Sequence, residues 1–164
     1  MRINESTVVA APAETVWHYL EDPENYLRFM SGVTHWEVVG DKVNGLGARY
    51  RILVRVGAAE VGGLVEMVEW NEPFDIAWHS VTGVDHRGRW RIRERGEGRA
   101  RIEYRFAYGV VGGGIAGLIT EVAAALIVRR QMRRTLRQLK RQVEHERRRL
   151  EAERRRAARE TARA

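Results

Sequence analysis

Serine and histidine, the pair used in nucleophilic catalysis, are adjacent at His79 and Ser80. Neighbouring residues of a β-strand point to opposite faces, so these two side chains cannot form a nucleophile–base pair. The pattern G-x-S-x-G does not occur, and the chain has no cysteine. Disulfides, thiolate metal sites and cysteine nucleophiles are therefore excluded. We predict no catalytic residues, although an enzyme is not excluded.

The histidines lack the spacing of metal ligands. Two of them flank a turn, His79 and His86, but two ligands without a third make a weak metal signal. The others are isolated along the chain: His18, His35 and His145. We therefore expect no metal and no cofactor.

Glu66 lies in a strand where either row of alternate residues could face inward. An inward Glu66 would be a buried carboxyl with a raised pKa, able to act as an acid or base or to anchor a ligand. An outward Glu66 would pair with an arginine of a neighbouring strand, which is the interpretation we favour. The same ambiguity applies to Trp78 and His79, which occupy opposite faces.

Gly112, Gly114 and Gly117 match the dinucleotide-binding pattern G-x-G-x-x-G. That site needs a second parallel strand with an acidic residue about 20 positions on. Here Arg129 and more helix follow instead. We interpret the glycines as a flexible joint between a strand and a helix.

Residues 110–128 contain one charge, Glu121, and could be a membrane span. Four glycines occupy the first eight positions, however, and the apolar run that follows is short for a span. We favour a buried core helix. The N-terminus also lacks the apolar segment of a secretory signal, so we expect a cytoplasmic protein, at most peripheral to a membrane.

The net charge of +7 is unevenly distributed. Residues 1–128 hold 14 basic and 17 acidic residues, a net charge of −3, and residues 129–164 hold 15 and 5, a net charge of +10. The tail is therefore the cationic part of the chain. It predicts an anionic membrane surface as a partner more than nucleic acid, and a solvated helix is the plain alternative.

The elements that would position these residues follow a simple order. Residues 2–10 predict a strand, and Pro12 and Pro23 each begin a short helix, the second capped by Asp22. Buried faces are expected at Val16, Trp17 and Leu20, then at Tyr26, Leu27, Phe29 and Met30. Alternation then predicts six strands near 33–40, 47–57, 60–70, 74–82, 87–95 and 99–109. Short turns between them indicate an antiparallel meander with one apolar face and one arginine-rich face.

The long C-terminal helix has two apolar stripes. The first is expected to cover the sheet: Ile115, Leu118, Ile119, Val122 and Leu126. The second has heptad-like spacing and indicates a homodimer seam: Met132, Leu136, Leu139, Val143 and Leu150. We accordingly divide the chain into a domain of residues 1–143 and an Arg-rich helical extension of residues 144–164.

This order resembles the START-like helix-grip superfamily, in the branch of polyketide cyclases, dehydrases and coenzyme Q-binding proteins. The similar segments are residues 11–17, 22–26, 73–78 and 98–106. The resemblance implies an α+β helix-grip fold, with a curved, antiparallel seven-stranded sheet wrapped around a long C-terminal helix and two short helices between strands 1 and 2. It also implies an apolar cavity for lipids, sterols, quinones or polyketides.

We predict that one set of residues lines this cavity: Tyr50, Ile52, Val54, Glu66, Trp78, Trp90, Ile92, Tyr104, Phe106, Leu118, Val122 and Leu126. Binding or carriage of a hydrophobic small molecule or lipid is the expected function. A polyketide cyclase or dehydratase using Tyr104 and Glu66 is the first alternative. A membrane- or nucleic-acid-associating module acting through the Arg-rich helix is the second.

Overall fold

The computed structural model describes residues 1–109 and 115–162, and the side chains of these residues except 56 and 115–124. The glycine-rich joint thus lies mostly outside the described residues. The strands are β1 (Arg2–Val9), β2 (Val33–Val39), β3 (Arg49–Val56), β4 (Ala59–Asn71), β5 (Asp75–Ser80), β6 (His86–Glu94) and β7 (Ala100–Tyr108). The helices are α1 (Ala13–Glu21), α2 (Tyr26–Phe29) after a 3₁₀ turn (Pro23–Asn25), and α3 (Ile115–Thr161).

All seven strands form one antiparallel sheet in the order β1-β7-β6-β5-β4-β3-β2. Strands β2 to β7 pair with their sequence neighbours, as expected when each turn is too short to cross the sheet. Strand β1 returns to pair with β7, with Arg2 opposite Ala107. The predicted helix-grip fold is confirmed.

The two short helices close one side of the sheet. The Asp22 carboxylate accepts a hydrogen bond from the Glu24 amide at 2.9 Å and caps the 3₁₀ turn. Val16, Trp17 and Leu20 are fully buried, and the Trp17 ring packs edge-on against Trp70 at 5.2 Å between centroids. The prediction for Leu27 was wrong. Its side chain is 51% exposed, because the short α2 turns only one side toward the sheet.

Helix α3 packs on the sheet through its second stripe. Met132, Leu136, Leu139 and Val143 are buried in the core. Two polar contacts fix the same region of the helix: the Lys140 ammonium donates to the Val8 carbonyl at 2.9 Å, and the Glu144 carboxylate accepts from the Ala10 amide at 2.9 Å.

Our assignment of the two stripes was therefore wrong in part. Leu126, from the first stripe, is 65% exposed, because α3 crosses the sheet farther along the chain than we expected. The side chains of Ile115, Leu118, Ile119 and Val122 lie outside the described ones. Four of the five residues of the supposed dimer seam are used in the core of this chain, so that seam is not available to a second copy.

Seven arginines on the outer face of the sheet are paired with acidic residues. Arg49 contacts Glu66, Arg51 contacts Glu37, Arg89 contacts Glu69, Arg91 and Arg93 contact Asp75, and Arg101 and Arg105 contact Glu103. Burial alone raises the pKa of Asp75, but its two arginine hydrogen bonds outweigh burial and hold that pKa below the usual value. The outer face is thus largely a lattice of ion pairs, and three exposed arginines have no ion pair with a described residue: Arg2, Arg55 and Arg87.

Among the described residues, no helix is both long and apolar enough to cross a membrane.

Candidate ligand-binding site

A cavity of about 310 Å³ lies between the concave face of the sheet, the start of β2 and helix α3. Its walls are almost entirely apolar. Strands β2 to β7 and the segment before β2 supply most of the lining: Met30, Ser31, Val33, Trp36, Ile52, Val54, Ala59, Val61, Gly62, Trp78, Val84, His86, Tyr104, Phe106 and Tyr108. Helix α3 supplies Val128, Gln131, Met132 and Thr135.

Five of the predicted residues line this cavity: Ile52, Val54, Trp78, Tyr104 and Phe106. Three others are buried on the same face of the sheet but belong to the packed core beside the cavity: Tyr50, Trp90 and Ile92. Burial raises the pKa of Tyr50 to about 12. The predicted Leu118 and Val122 fall among the side chains that the structure does not describe.

Two predicted residues lie away from the cavity. Glu66 is on the outer face, where the Arg49 guanidinium donates to its carboxylate at 2.7 Å. The inward row of β4 is instead Val65 and Met67, which are fully buried. Leu126 is exposed on α3. The ion pair explains the placement of Glu66, since an inward carboxylate would have lost both water and this partner.

Aromatic rings form much of the cavity wall. Trp36 stacks on Tyr26 with 4.1 Å between ring centroids, and Tyr104 stacks on Trp90 at the same distance. Trp78 lies beside both Trp90 and Tyr104, at 6.4 and 6.2 Å. These contacts hold the rings in fixed orientations, so the wall is shaped before any ligand enters.

A glycine on the neighbouring strand makes room for Trp78. A Cβ atom at Gly88 would lie 2.1 Å from Cζ2 of the Trp78 ring, so the ring would have to move. The pair faces each other across β5 and β6 in the register of the sheet. Gly88 therefore sets the position of one aromatic wall of the cavity.

His86 supplies the cavity with a basic nitrogen. Its side chain is buried, and Nδ1 lies 2.8 Å from the Val84 carbonyl oxygen, to which it must donate. Burial lowers the pKa of His86, partly offset by that hydrogen bond and by Asp85. The ring is thus neutral near pH 7 with its proton on Nδ1, and Nε2 carries a lone pair.

Two donors in the wall have no partner in the described part of the chain. The Trp36 indole nitrogen is buried without a hydrogen bond. No described residue receives a hydrogen bond from the Tyr104 hydroxyl, and burial raises the pKa of that group well above its usual value, so it keeps its proton. Buried donors normally find an acceptor, so the Trp36 indole points to one supplied by a ligand.

Sequence reasoning missed Trp36 and His86, although the signals were present. Trp36 is paired with Ile52 across β2 and β3, so it belongs to the same row as a residue that we did predict. His86 alternates with Gly88 and Trp90, but the predicted strand began one residue too late to include it.

No cluster of His, Asp or Glu that could hold a metal ion occurs among the residues described here.

The family model for polyketide cyclases, dehydrases and lipid transport matches residues 1–144. The chain belongs to this family. No curated protein matches the sequence significantly.

Several solved structures share this fold. A protein of Thermus thermophilus is 21% identical with a TM-score of 0.76, over 87% of this chain and 97% of that one. The Zhui aromatase/cyclase of Streptomyces sp. R1128 is 19% identical with a TM-score of 0.73, over 88% and 93%. A START superfamily protein of Mycobacterium smegmatis is 14% identical with a TM-score of 0.69, over 88% and 97%. At these identities the likeness concerns the fold alone.

Proposed function

We propose that this chain binds a hydrophobic small molecule with a planar ring system in the cavity between the sheet and α3. The observation that supports this most directly is the aromatic wall of Trp36, Trp78, Tyr104 and Phe106 around an apolar space of about 310 Å³. That volume lies at the lower end of the range for ligand pockets. Flat rings gain both burial and stacking against such a wall.

The polar groups of the cavity indicate which hydrogen-bonding groups the ligand carries. Trp36 Nε1 needs an acceptor and the protonated Tyr104 hydroxyl can donate to one, and a carbonyl oxygen serves either group. His86 Nε2 accepts a hydrogen bond, which a ligand hydroxyl donates. A hydroxylated quinone or an aromatic polyketide combines these features, and a simple alkyl lipid does not.

Native mass spectrometry of the purified protein, followed by titration with a hydroxynaphthoquinone, tests this proposal. Trp36 and Trp78 border the cavity, so bound quinone quenches tryptophan fluorescence. We expect Trp36→Phe to weaken binding about three- to tenfold, the effect of one lost hydrogen bond. Trp70→Phe is the matched control because Trp70 packs against Trp17 outside the cavity. No quenching by the quinone and no copurified molecule would refute the proposal.

A polyketide cyclase or dehydratase activity is the second candidate, favoured by His86. Its neutral imidazole can remove a proton from a carbon between two carbonyls, while the Tyr104 hydroxyl donates to the resulting enolate oxygen. The carbanion then bonds to a second carbonyl carbon, and the alkoxide formed takes the proton back from His86. Glu66, which we had predicted for this role, lies on the outer face and takes no part.

Turnover of a poly-β-ketone thioester distinguishes the two candidates. If the chain is an enzyme, His86→Gln lowers kcat at least about a hundredfold, the usual contribution of a general base. Binding of the hydroxynaphthoquinone should change much less in the same variant. Turnover that is undetectable in the wild-type protein, or unchanged in His86→Gln, would refute the enzymatic candidate and leave ligand binding as the proposed function.

We also propose a cytoplasmic location beside a membrane, because the arginine-rich tail suits the anionic lipids of the cytoplasmic leaflet. A homodimer through the seam on α3 is not part of the proposal, since Met132, Leu136, Leu139 and Val143 are buried within the chain. Fractionation of cells that express the full chain would test the location. Recovery outside the cytoplasm would contradict it.

A further inference from the structure

Helix α3 carries a row of arginines on the side opposite the core. All seven members are exposed: Arg130, Arg134, Arg137, Arg141, Arg148, Arg155 and Arg159. At 3.6 residues per turn they lie within about 60° of one another around the helix. The row extends for about 44 Å along a straight axis. We refer to these seven residues as the arginine row.

The positive charge of the arginine row is not compensated by the described residues of the chain. None of the seven forms an ion pair with another described residue, whereas Arg129 and Arg133 on the side of the helix both contact Glu5. The two glutamates nearest the row have other partners: Glu144 contacts Lys140, and Glu151 contacts Arg147. The row therefore presents seven free guanidinium groups to solvent.

Two apolar side chains lie at the N-terminal end of the row. Leu126 and Ile127 are both exposed, at 65% and 39%. Val128, the next residue, lines the cavity. A cationic face thus continues into a small apolar patch next to the cavity wall.

We propose that the arginine row and Leu126–Ile127 form a docking surface for an anionic phospholipid bilayer. A straight row on a rod-like helix touches a plane along its whole length, so every arginine reaches the headgroups at once. The two apolar residues enter the interface at one end. A nucleic acid would satisfy the arginines but would leave Leu126 and Ile127 against phosphate and water. This surface is separate from the cavity, and docking does not require that the cavity be occupied.

Cosedimentation of the full-length protein with vesicles tests the proposal. Vesicles of phosphatidylcholine containing phosphatidylserine are compared with vesicles of phosphatidylcholine alone. We expect binding only to the anionic vesicles, weakening as salt screens the charges. Replacing Arg134, Arg137, Arg141 and Arg148 with Gln should weaken binding more than about tenfold, since each cation near an anionic surface contributes separately.

The matched control replaces four arginines on other sides of α3 with Gln: Arg147, Arg149, Arg154 and Arg156. It removes the same net charge and should reduce binding far less. Leu126→Ser should also weaken binding, whereas Leu46→Ser, at a similarly exposed leucine on the β2–β3 loop, should not. Circular dichroism confirms that each variant is folded.

Several results would overturn the proposal. Equal losses in the two quadruple variants would show that only net charge matters. Equal binding to neutral vesicles would remove the role of the arginines. Tight binding to a short duplex DNA without binding to anionic vesicles would identify nucleic acid as the partner. None of these results bears on quinone binding in the cavity, so this proposal and the cavity proposal can fail separately.

Discussion

The protonation state of His86 follows from its hydrogen bond to the Val84 carbonyl and from its burial. The Val84 carbonyl holds the ring proton on Nδ1, and the apolar cavity wall disfavours the charged form. His18 on α1 shows the opposite behaviour, because its hydrogen bond to Glu21 raises its pKa. The two histidines should therefore affect stability in opposite directions as the pH falls.

The first prediction concerns this pH dependence. Since the folded pKa of His86 lies below the unfolded value of 6.5, the unfolded chain takes up the proton first on acidification. The contribution of His86 to the free energy of unfolding should thus fall as the pH drops below 6.5. Urea unfolding at neutral and mildly acidic pH should show a smaller acid-induced loss in His86→Gln than in the wild type.

His18→Gln provides the control for that measurement. The raised pKa of His18 stabilises the folded state below the unfolded pKa, so removing this residue should increase the acid-induced loss slightly. The same sign of change in both variants would contradict the assignment of a buried, neutral His86.

The second prediction concerns Gly88. A methyl group there would overlap the Trp78 ring, so Gly88→Ala should lower the free energy of unfolding by about 1–3 kcal/mol, the usual range for overpacking. The displaced ring should also reduce quinone binding. Gly109→Ala is the matched control, because its added Cβ has no contact closer than 3.4 Å. Unchanged stability in Gly88→Ala, measured by urea unfolding, would mean that Trp78 moves aside freely.

At the scale of elements, the sheet was predictable and the position of α3 along it was not. Alternation gave strand limits close to those observed, because each strand faces the core on one side and solvent on the other. Both stripes of α3 are apolar, however, and local spacing does not determine where a long helix crosses a sheet. That position depends on contacts distant in sequence, such as the Ser31 amide with the Thr135 hydroxyl at 2.9 Å.

The same difference between local patterns and contacts distant in sequence explains which residues of the candidate site could be predicted. Ile52 and Tyr104 were found because their strands alternate regularly. Glu66 was left open between two faces, because both rows of β4 are partly apolar, and only its pairing with Arg49 decides between them. His86 was missed at a strand end, where local patterns locate boundaries least well.

The third prediction compares the two stripes of α3 directly. Leu139 is fully buried, so Leu139→Ala should lower the free energy of unfolding by about 2–5 kcal/mol. Leu126→Ala should change it by less than about 0.5 kcal/mol, because Leu126 is exposed. Urea unfolding of both variants measures the difference. A larger effect at Leu126 would restore the first stripe as the cover of the sheet.

At the scale of the whole molecule, charge is separated into a paired region and an unpaired one. The outer face of the sheet pairs seven of its arginines with glutamates and Asp75, while none of the arginine row on α3 has an ion pair with a described residue. Residues 152–162 are exposed along the entire end of α3. We therefore propose that this end adds charge without adding to the stability of the fold.

The fourth prediction tests that proposal by truncation. Deleting residues 151–164 should change the free energy of unfolding by no more than about 1 kcal/mol, since no fully buried side chain is lost. Deleting residues 139–164 should unfold the protein, because Leu139 and Val143 leave the core together. Circular dichroism and urea unfolding of both truncated chains provide the measurement. A large loss from the shorter deletion would show that the end of α3 is part of the folded unit.

The pairing of β1 with β7 has a consequence for the folding of this protein during its synthesis. β1 is synthesised before its pairing partners, since those around Ala107 follow about 100 residues later. At roughly 5–20 residues per second, β1 waits on the order of 5–20 s without a neighbour. We expect the charges of Arg2 and Glu5 to disfavour association of this unpaired strand with other nascent chains. Because Val143 comes later still, a prematurely terminated product leaves the concave sheet uncovered, which is the kind of surface that chaperones and proteases act on.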